Sequence, residues 1–98
     1  MDVEFDDPDL DRLEIDSKFT GGHPPAIVKG FRKVMGAIRA AVDERDFRNL
    51  RGLRFKRRGP PNQHQHSFRI NDQFRLIVEM RGSDLNKRVG VIEIKDPH

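Results

Sequence analysis

The stretch that decides the fold runs from His64 to Val78 and reads HQHSFRINDQFRLIV. It holds two runs in which apolar and polar residues alternate, separated by a short polar segment at residues 71–73. Alternation with a period of two is typical of strands that bury one face, and so short a connection favours antiparallel neighbours. The stretch therefore predicts two paired strands, His64–Ile70 and Phe74–Arg81.

Further strands are predicted on both sides of this pair. Leu53 and Phe55 alternate with basic residues, and the sequence GPPN at 59–62 then forbids regular structure. After a turn at Gly82–Lys87, Arg88–Lys95 has the composition of a last strand. The second half of the chain thus predicts a four-stranded antiparallel meander, and residues 3–5 could add a short strand at the start.

The first half of the chain has helical patterns. Asp7 and Pro8 supply a cap and a first-turn proline for a helix over Pro8–Ile15. A longer helix opens at Pro24 and Pro25, because the apolar residues that follow recur at spacings of three and four. These residues are Ile27, Phe31, Val34, Met35, Ile38 and Val42.

A short helical continuation over Glu44–Leu50 is predicted, with Asp43 as its cap. The order of elements predicts one α+β domain over residues 1–98, with the N-terminal helices packed on one face of a small antiparallel sheet.

The composition excludes several kinds of site. The 98 residues include no cysteine, which rules out disulfides, thiolate zinc sites and cysteine nucleophiles. No apolar run approaches the length of about 18 residues needed to span a bilayer. The first residues are acidic and lack the basic start of a signal peptide. These features predict a cytoplasmic protein.

The net charge of +3 conceals a strong asymmetry along the chain. Residues 1–16 hold eight acids and a single arginine, a charge of −7, whereas 18 basic and 8 acidic residues give the remainder +10. The basic part would attract phosphates. We expect the acidic segment either to contact a basic patch elsewhere or to shape a partner interface.

The alternation also assigns side chains to the two faces of the sheet. The apolar set should meet the long helix: Phe55, Phe68, Ile70, Phe74, Leu76 and Met80. A basic set should lie on the other face: Arg54, Lys56, Arg69, Arg75 and Arg81. Guanidinium groups suit phosphate because their planar fork donates two parallel hydrogen bonds. Arg75 is the strongest single candidate, since it lies in mid-strand; a solvated surface is the alternative for each of these residues.

Histidine is the residue type best suited to proton transfer near neutral pH. His98 is attractive for this role, and Asp96 could orient it or merely end the last strand. His64 and His66 share one strand face, but no third metal ligand is suggested near them, so surface or half-buried histidines are the better interpretation. We expect no metal and no cofactor.

The chain resembles the RelE/ParE superfamily of bacterial toxins, and its HigB-like branch most of all. The resemblance rests on the segment DERDF at 43–47, on the block at 64–77 and on the ending IEIKDPH at 92–98. It covers nearly the whole chain and implies a microbial RNase-like fold.

The resemblance also implies an activity and partners. These are ribosome-dependent cleavage of mRNA, neutralisation by a cognate helix-turn-helix (HigA-like) antitoxin, and operator binding only through the complex. By position, Arg75 would act on the scissile phosphate, while Asp96 and His98 match the C-terminal part of the active site. Lys56 falls where some members place a catalytic or phosphate-contacting residue. Arg54, Arg57, Arg58 and Arg69 would hold the RNA backbone.

The sequence departs from the family pattern at two places. The ungapped equivalent of the usual Lys-Gly-Asp-Arg loop is Gly59–Asn62, and Pro97 replaces the usual tyrosine before the last histidine. Two alternatives to a nuclease therefore stay open: a gyrase inhibitor in the manner of ParE, and a binding module that has lost catalysis.

Overall fold

A computed structural model describes residues 1–83 and 85–96. Five strands, three α-helices and a short 3₁₀ helix follow one another along this part of the chain. In chain order they are β1 (Asp2–Phe5), α1 (Pro8–Ile15), α2 (Pro25–Ala40), α3 (Arg45–Asn49), the 3₁₀ helix (Arg51–Leu53), β2 (Lys56–Arg57), β3 (Gln65–Arg69), β4 (Arg75–Arg81) and β5 (Arg88–Lys95). The predicted α+β fold is confirmed.

The first two helices begin where the sequence predicted them, whereas α3 begins one residue later than predicted, with Glu44 rather than Asp43 at its N-cap. Pro8 opens α1, and the Asp7 carboxylate caps it by accepting a hydrogen bond from the Asp9 amide at 2.9 Å. Helix α2 buries the predicted stripe from Ile27 to Ile38. Its extension to Val42 was wrong, because the helix ends at Ala40 and Val42 is 86% exposed. Ile15, the last residue of α1, is 76% exposed.

The sheet has five strands in the order β1-β5-β4-β3-β2. The predicted antiparallel meander is present, and the short strand suggested for residues 3–5 is formed as well. Strand β1 adds to its edge and runs parallel to β5, with Phe5 beside Val91. The N-terminal segment is therefore part of the sheet.

The prediction of a strand through Leu53 and Phe55 was wrong in its first half. Leu53 ends the 3₁₀ helix, Arg54 adopts a left-handed conformation with φ of 45°, and only Lys56 and Arg57 form a strand. Leu53 and Phe55 are nevertheless both buried, because the tight turn places them on the same side. Burial at every second residue is thus compatible with a strand and also with a 3₁₀ turn.

The core lies between α2 and one face of the sheet. Phe31 and Ile38 of α2 are fully buried, as are Phe68 of β3 and Leu76 of β4. The ring of Phe47 from α3 packs edge-on against Phe68 with ring centroids 5.0 Å apart. The opposite face of the sheet takes no part in this core. In the part of the chain that the structure describes, no helix is long and apolar enough to cross a membrane.

Candidate functional site

A basic cleft of about 450 Å³ opens on the sheet face opposite α2. Its walls come from β2 to β5 and from the loops beside them. Seven basic side chains line it: Arg54, Lys56, Arg57, Arg58, Arg69, Arg75 and Lys95. The cleft therefore concentrates positive charge on one small surface.

Three of these cations form a row across neighbouring strands. Arg75 in β4 lies directly opposite Arg69 in β3 and directly opposite Lys95 in β5. Like charges at directly opposed positions of a sheet destabilise it. Such a row, which we call the cation row, is well suited to an anionic ligand that would relieve the repulsion.

Arg75 is held in place by two hydrogen bonds. Its Nε donates to the Ser67 hydroxyl oxygen at 2.8 Å, and its Nη2 donates to the Arg54 carbonyl oxygen at 2.6 Å. Burial lowers the pKa of Arg75 from its ordinary value, and the neighbouring Arg54 and Arg69 lower that pKa further. An arginine nevertheless stays charged in proteins. Arg75 is thus a partly buried, positioned cation without a carboxylate partner in the described part of the chain.

The unusual backbone at Arg54 serves this arrangement. A positive φ is uncommon for a residue other than glycine. At Arg54 it ends the 3₁₀ helix and directs the carbonyl group to the guanidinium of Arg75. The side chain of Arg54 lines the same cleft. One residue therefore supplies both a support for Arg75 and a further cation.

The other basic residues come from β2 and its flanks. Lys56 lies opposite Ser67 in the β2–β3 pair, which places it on the cleft face. Arg58 is restrained by Gln65, whose side-chain oxygen accepts a hydrogen bond from Nη1 at 2.6 Å. Arg57 is exposed at the edge. These residues form the β2 side of the cleft.

Polar residues from the β3–β4 connection form another wall. Asn71 accepts hydrogen bonds from the amides of Gln73 and Phe74, which fixes the tight turn. Asp72 is paired with Arg69, so part of the charge of the cation row is neutralised at this end. Gln73 donates to the Asp96 carboxylate at 2.9 Å, which ties the end of β5 to the cleft wall.

The structure brings most of the sequence-predicted site residues together. Arg54, Lys56, Arg57, Arg58, Arg69 and Arg75 all line the cleft, and Asp96 adjoins it through Gln73. His98 and Pro97 lie outside the described residues. Sequence reasoning gave no role to Lys95, although it alternates with the apolar Ile94, and it did not foresee that Ser67 would hold Arg75.

Arg81 was predicted to share this basic face and does not line the cleft. It forms ion pairs with Glu4 and with Asp6, at 3.1 and 2.8 Å. Arg88 is also paired with Glu4. The acidic N-terminal strand thus neutralises the cations at the far end of the sheet, in agreement with the expectation that the segment contacts basic residues.

The two described histidines of β3 and its flank lie away from the cleft. His66 is buried on the core side and stacks on Phe55, with ring centroids 4.8 Å apart. Burial, followed by the nearby Arg57, lowers the pKa of His66. His64 is exposed. Among residues 1–83 and 85–96, no cluster of three or more histidine, aspartate or glutamate side chains is arranged to hold a metal ion.

Comparison with known proteins supports the fold. No protein-family model matches the sequence, and no curated protein sequence matches it. The structure is similar to a solved one, the YoeB/ParE toxin from Agrobacterium tumefaciens, with a TM-score of 0.60 and 14% sequence identity. The similarity covers 100% of both chains. This protein therefore has the fold of a YoeB/ParE toxin.

Proposed function

We propose that this protein is the toxin of a type II toxin–antitoxin pair, of HigB-like type, and that it cuts mRNA on the ribosome. The observation that carries the proposal is the cation row Arg69–Arg75–Lys95 with Arg75 at its centre. A phosphodiester placed over it would meet a fixed guanidinium flanked by Lys95 and by Arg69, the latter already paired with Asp72. The shared fold with a YoeB/ParE toxin agrees with this assignment.

Each candidate residue is assigned one part of the cleavage reaction. RNA cleavage without a metal needs a base for the 2′-hydroxyl, an acid for the 5′-oxygen, and cations for the charge that develops on the phosphorus oxygens. Arg75 is assigned to that charge because it is already anchored by Ser67 and Arg54. His98 is assigned to proton transfer and Asp96 to its orientation. Lys56, with Arg54, Arg57, Arg58 and Arg69, would hold the backbone.

The test is cleavage of mRNA by the purified protein with translating ribosomes. Arg75→Ala is expected to lower the cleavage rate by about 100-fold or more, the usual effect of removing one donor to a developing oxyanion. Arg75→Lys should restore it only in part, because an ammonium cannot reproduce the two anchoring bonds and the fork.

Lys29→Ala is the matched control, since Lys29 is an exposed cation on α2 that does not line the cleft. Its rate should equal that of the unmutated protein. Intact mRNA after incubation of the unmutated protein with translating ribosomes would refute the nuclease proposal.

A gyrase inhibitor is the second candidate, because the similar structure is named for both YoeB and ParE. This function requires no cleavage and predicts loss of DNA supercoiling by purified gyrase. Retained cleavage with unaffected supercoiling would decide for the nuclease.

The proposed partners are the cognate helix-turn-helix antitoxin, HigA-like, together with mRNA and the ribosome in the cytoplasm. Operator DNA would be bound only by the toxin–antitoxin complex. Expression of this chain alone should arrest growth. Normal growth with folded protein present would favour a binding module without activity.

A further inference from the structure

A second group of arginines adjoins the basic cleft. Arg48, Arg51 and Arg54 line a shallow depression of about 250 Å³ together with Phe47, Leu50 and Phe55. All three arginines are exposed. Arg54 also lines the cleft, so the two concave surfaces adjoin at this residue. We call Arg48, Arg51 and Arg54 the arginine ridge.

Local structure sets the spacing of the ridge. The Arg54 amide donates to the Arg51 carbonyl oxygen at 3.1 Å, which closes one turn and keeps the two residues close together. The guanidinium carbon of Arg48 lies 5.4 Å from the centre of the Phe55 ring, a cation–π contact that restrains the side chain. The ring of Phe55 is itself stacked on His66. The ridge is thus built on packed side chains.

The ridge is not neutralised by the carboxylates of the described residues. In the described part of the chain none of its three arginines forms an ion pair, whereas Arg39 binds Glu14 and Arg45 binds Asp43. Three neighbouring guanidiniums without counter-charge favour an anion with several phosphates.

The cations on the other side of the cleft differ from the ridge in being paired with carboxylates. Beyond Ile77 the same sheet face carries Glu4, Asp6 and Glu79 around Arg81 and Arg88, three carboxylates to two guanidiniums. Both guanidiniums at this end are already neutralised by carboxylates, so neither is available to a phosphate backbone. A strand that leaves the cleft towards the ridge stays over arginines that have no ion pair in the described part of the chain, whereas a strand that leaves past Ile77 meets paired ones.

We propose that the arginine ridge is a second phosphate-binding site, and that a single-stranded RNA leaves the cleft across Arg54 towards Arg51 and Arg48. This inference rests on the proposed function in that it takes the cleft as the site of the reacting phosphate. It adds a path for the substrate and two residues, Arg48 and Arg51, that bind it outside the reacting centre.

The test is binding of a short fluorescent single-stranded RNA with 2′-O-methyl sugars, which cannot be cut, at several salt concentrations. Arg48→Gln and Arg51→Gln should each raise Kd roughly two- to five-fold, the range of one exposed ion pair. Each should also reduce the slope of log K against log salt by about 0.7, the value for one phosphate contact on a single strand. Arg48→Lys should keep the slope, and Lys29→Gln should change neither quantity.

The same variants are measured with an RNA hairpin and in the ribosomal cleavage assay. An effect confined to the hairpin would overturn the proposal, because the ridge would then take duplex RNA. Unchanged slopes in both glutamine variants, with mRNA still cut, would reject the ridge and leave the nuclease standing. Reduced slopes without any mRNA cleavage by the unmutated protein would support the ridge and reject the nuclease.

Discussion

Arg75 differs from the other cleft cations in how much of its geometry is fixed before a ligand arrives. Two of its donors are occupied by the Ser67 hydroxyl and the Arg54 carbonyl, so its plane is set by β3 and by the turn before β2. Preorganised charge of this kind stabilises a transition state without reorganisation at the moment of reaction. The alternation in FRLIV, residues 74–78, could predict on which face of the sheet Arg75 lies. It could not predict the two hydrogen bonds that hold the side chain, because their acceptors belong to residues 8 and 21 positions away.

His66 gives a prediction about stability and pH. Its Nδ1 is buried without a hydrogen-bond partner in the described part of the chain, and burial lowers the pKa of this histidine below its ordinary value of 6.5. The unfolded chain therefore takes up the proton first as the pH falls. The contribution of neutral His66 to the free energy of unfolding should be fully present above pH 6.5. It should be lost progressively as the pH falls from there through the pKa of His66 in the folded protein.

The substitution His66→Phe should remove this decline, since phenylalanine keeps a ring against Phe55 and cannot titrate. Urea unfolding between neutral and mildly acidic pH measures the effect. His64→Gln is the control, because His64 is exposed and its loss should leave the decline in place. A decline of equal size in His66→Phe would show that another group is responsible.

At the scale of elements, two glycines of α2 predict opposite effects of the same substitution. A Cβ at Gly30 would lie 2.7 Å from Ile70 Cγ2 and 2.8 Å from the Ile70 carbonyl oxygen, whereas a Cβ at Gly36 would meet nothing within 4 Å. Gly36→Ala should therefore raise the free energy of unfolding by about 0.5–1 kcal/mol through helix propensity. Gly30→Ala should lower it by about 1–3 kcal/mol, because α2 must move away from the backbone that follows β3.

Each of these variants controls for the other, since both add one methyl group to the same helix. Urea denaturation of the two proteins measures the difference. Stabilisation of similar size in both would mean that the contact between Gly30 and Ile70 yields without cost.

The elements also show which structural information is local. Helices α1 and α2 and the β3–β4 pair were predictable because a single period and its flanking caps define each one. The turn at 51–54 was not, since burial of Leu53 and Phe55 fits a strand as well as a 3₁₀ helix. Lys95 joins the cleft because the β4–β5 register shifts between Ile77 and Val78, and such a shift depends on packing between distant segments.

At the scale of the whole molecule, the charge asymmetry seen along the chain becomes a division of one sheet face. The sequence showed an acidic start and a basic remainder, but the pairing of Glu4 and Asp6 with Arg81 depends on β1 joining β5. That contact spans more than 70 residues, and no local pattern signals it. The result is a face that is neutralised at one end and strongly positive in the cleft and on the arginine ridge.

The same network predicts how acid affects the folded protein. Hydrogen bonds from Arg81, then from Arg88, lower the pKa of Glu4, and a hydrogen bond from Arg81 lowers the pKa of Asp6. These ion pairs therefore stabilise the fold at pH values above the ordinary pKa values of 4.5 and 3.8, and their contribution is lost as the pH falls through the lowered pKa values.

The double variant Glu4→Gln/Asp6→Asn should unfold at lower urea concentration than the unmutated protein at pH 7. The difference should shrink to nothing in strong acid, where the unmutated carboxylates are protonated as well. Glu93→Gln, at an exposed carboxylate of β5 that has no ion pair in the described part of the chain, should match the unmutated protein throughout. A loss of stability that persists unchanged in acid would mean that the substitutions disturb the packing of β1 rather than its charges.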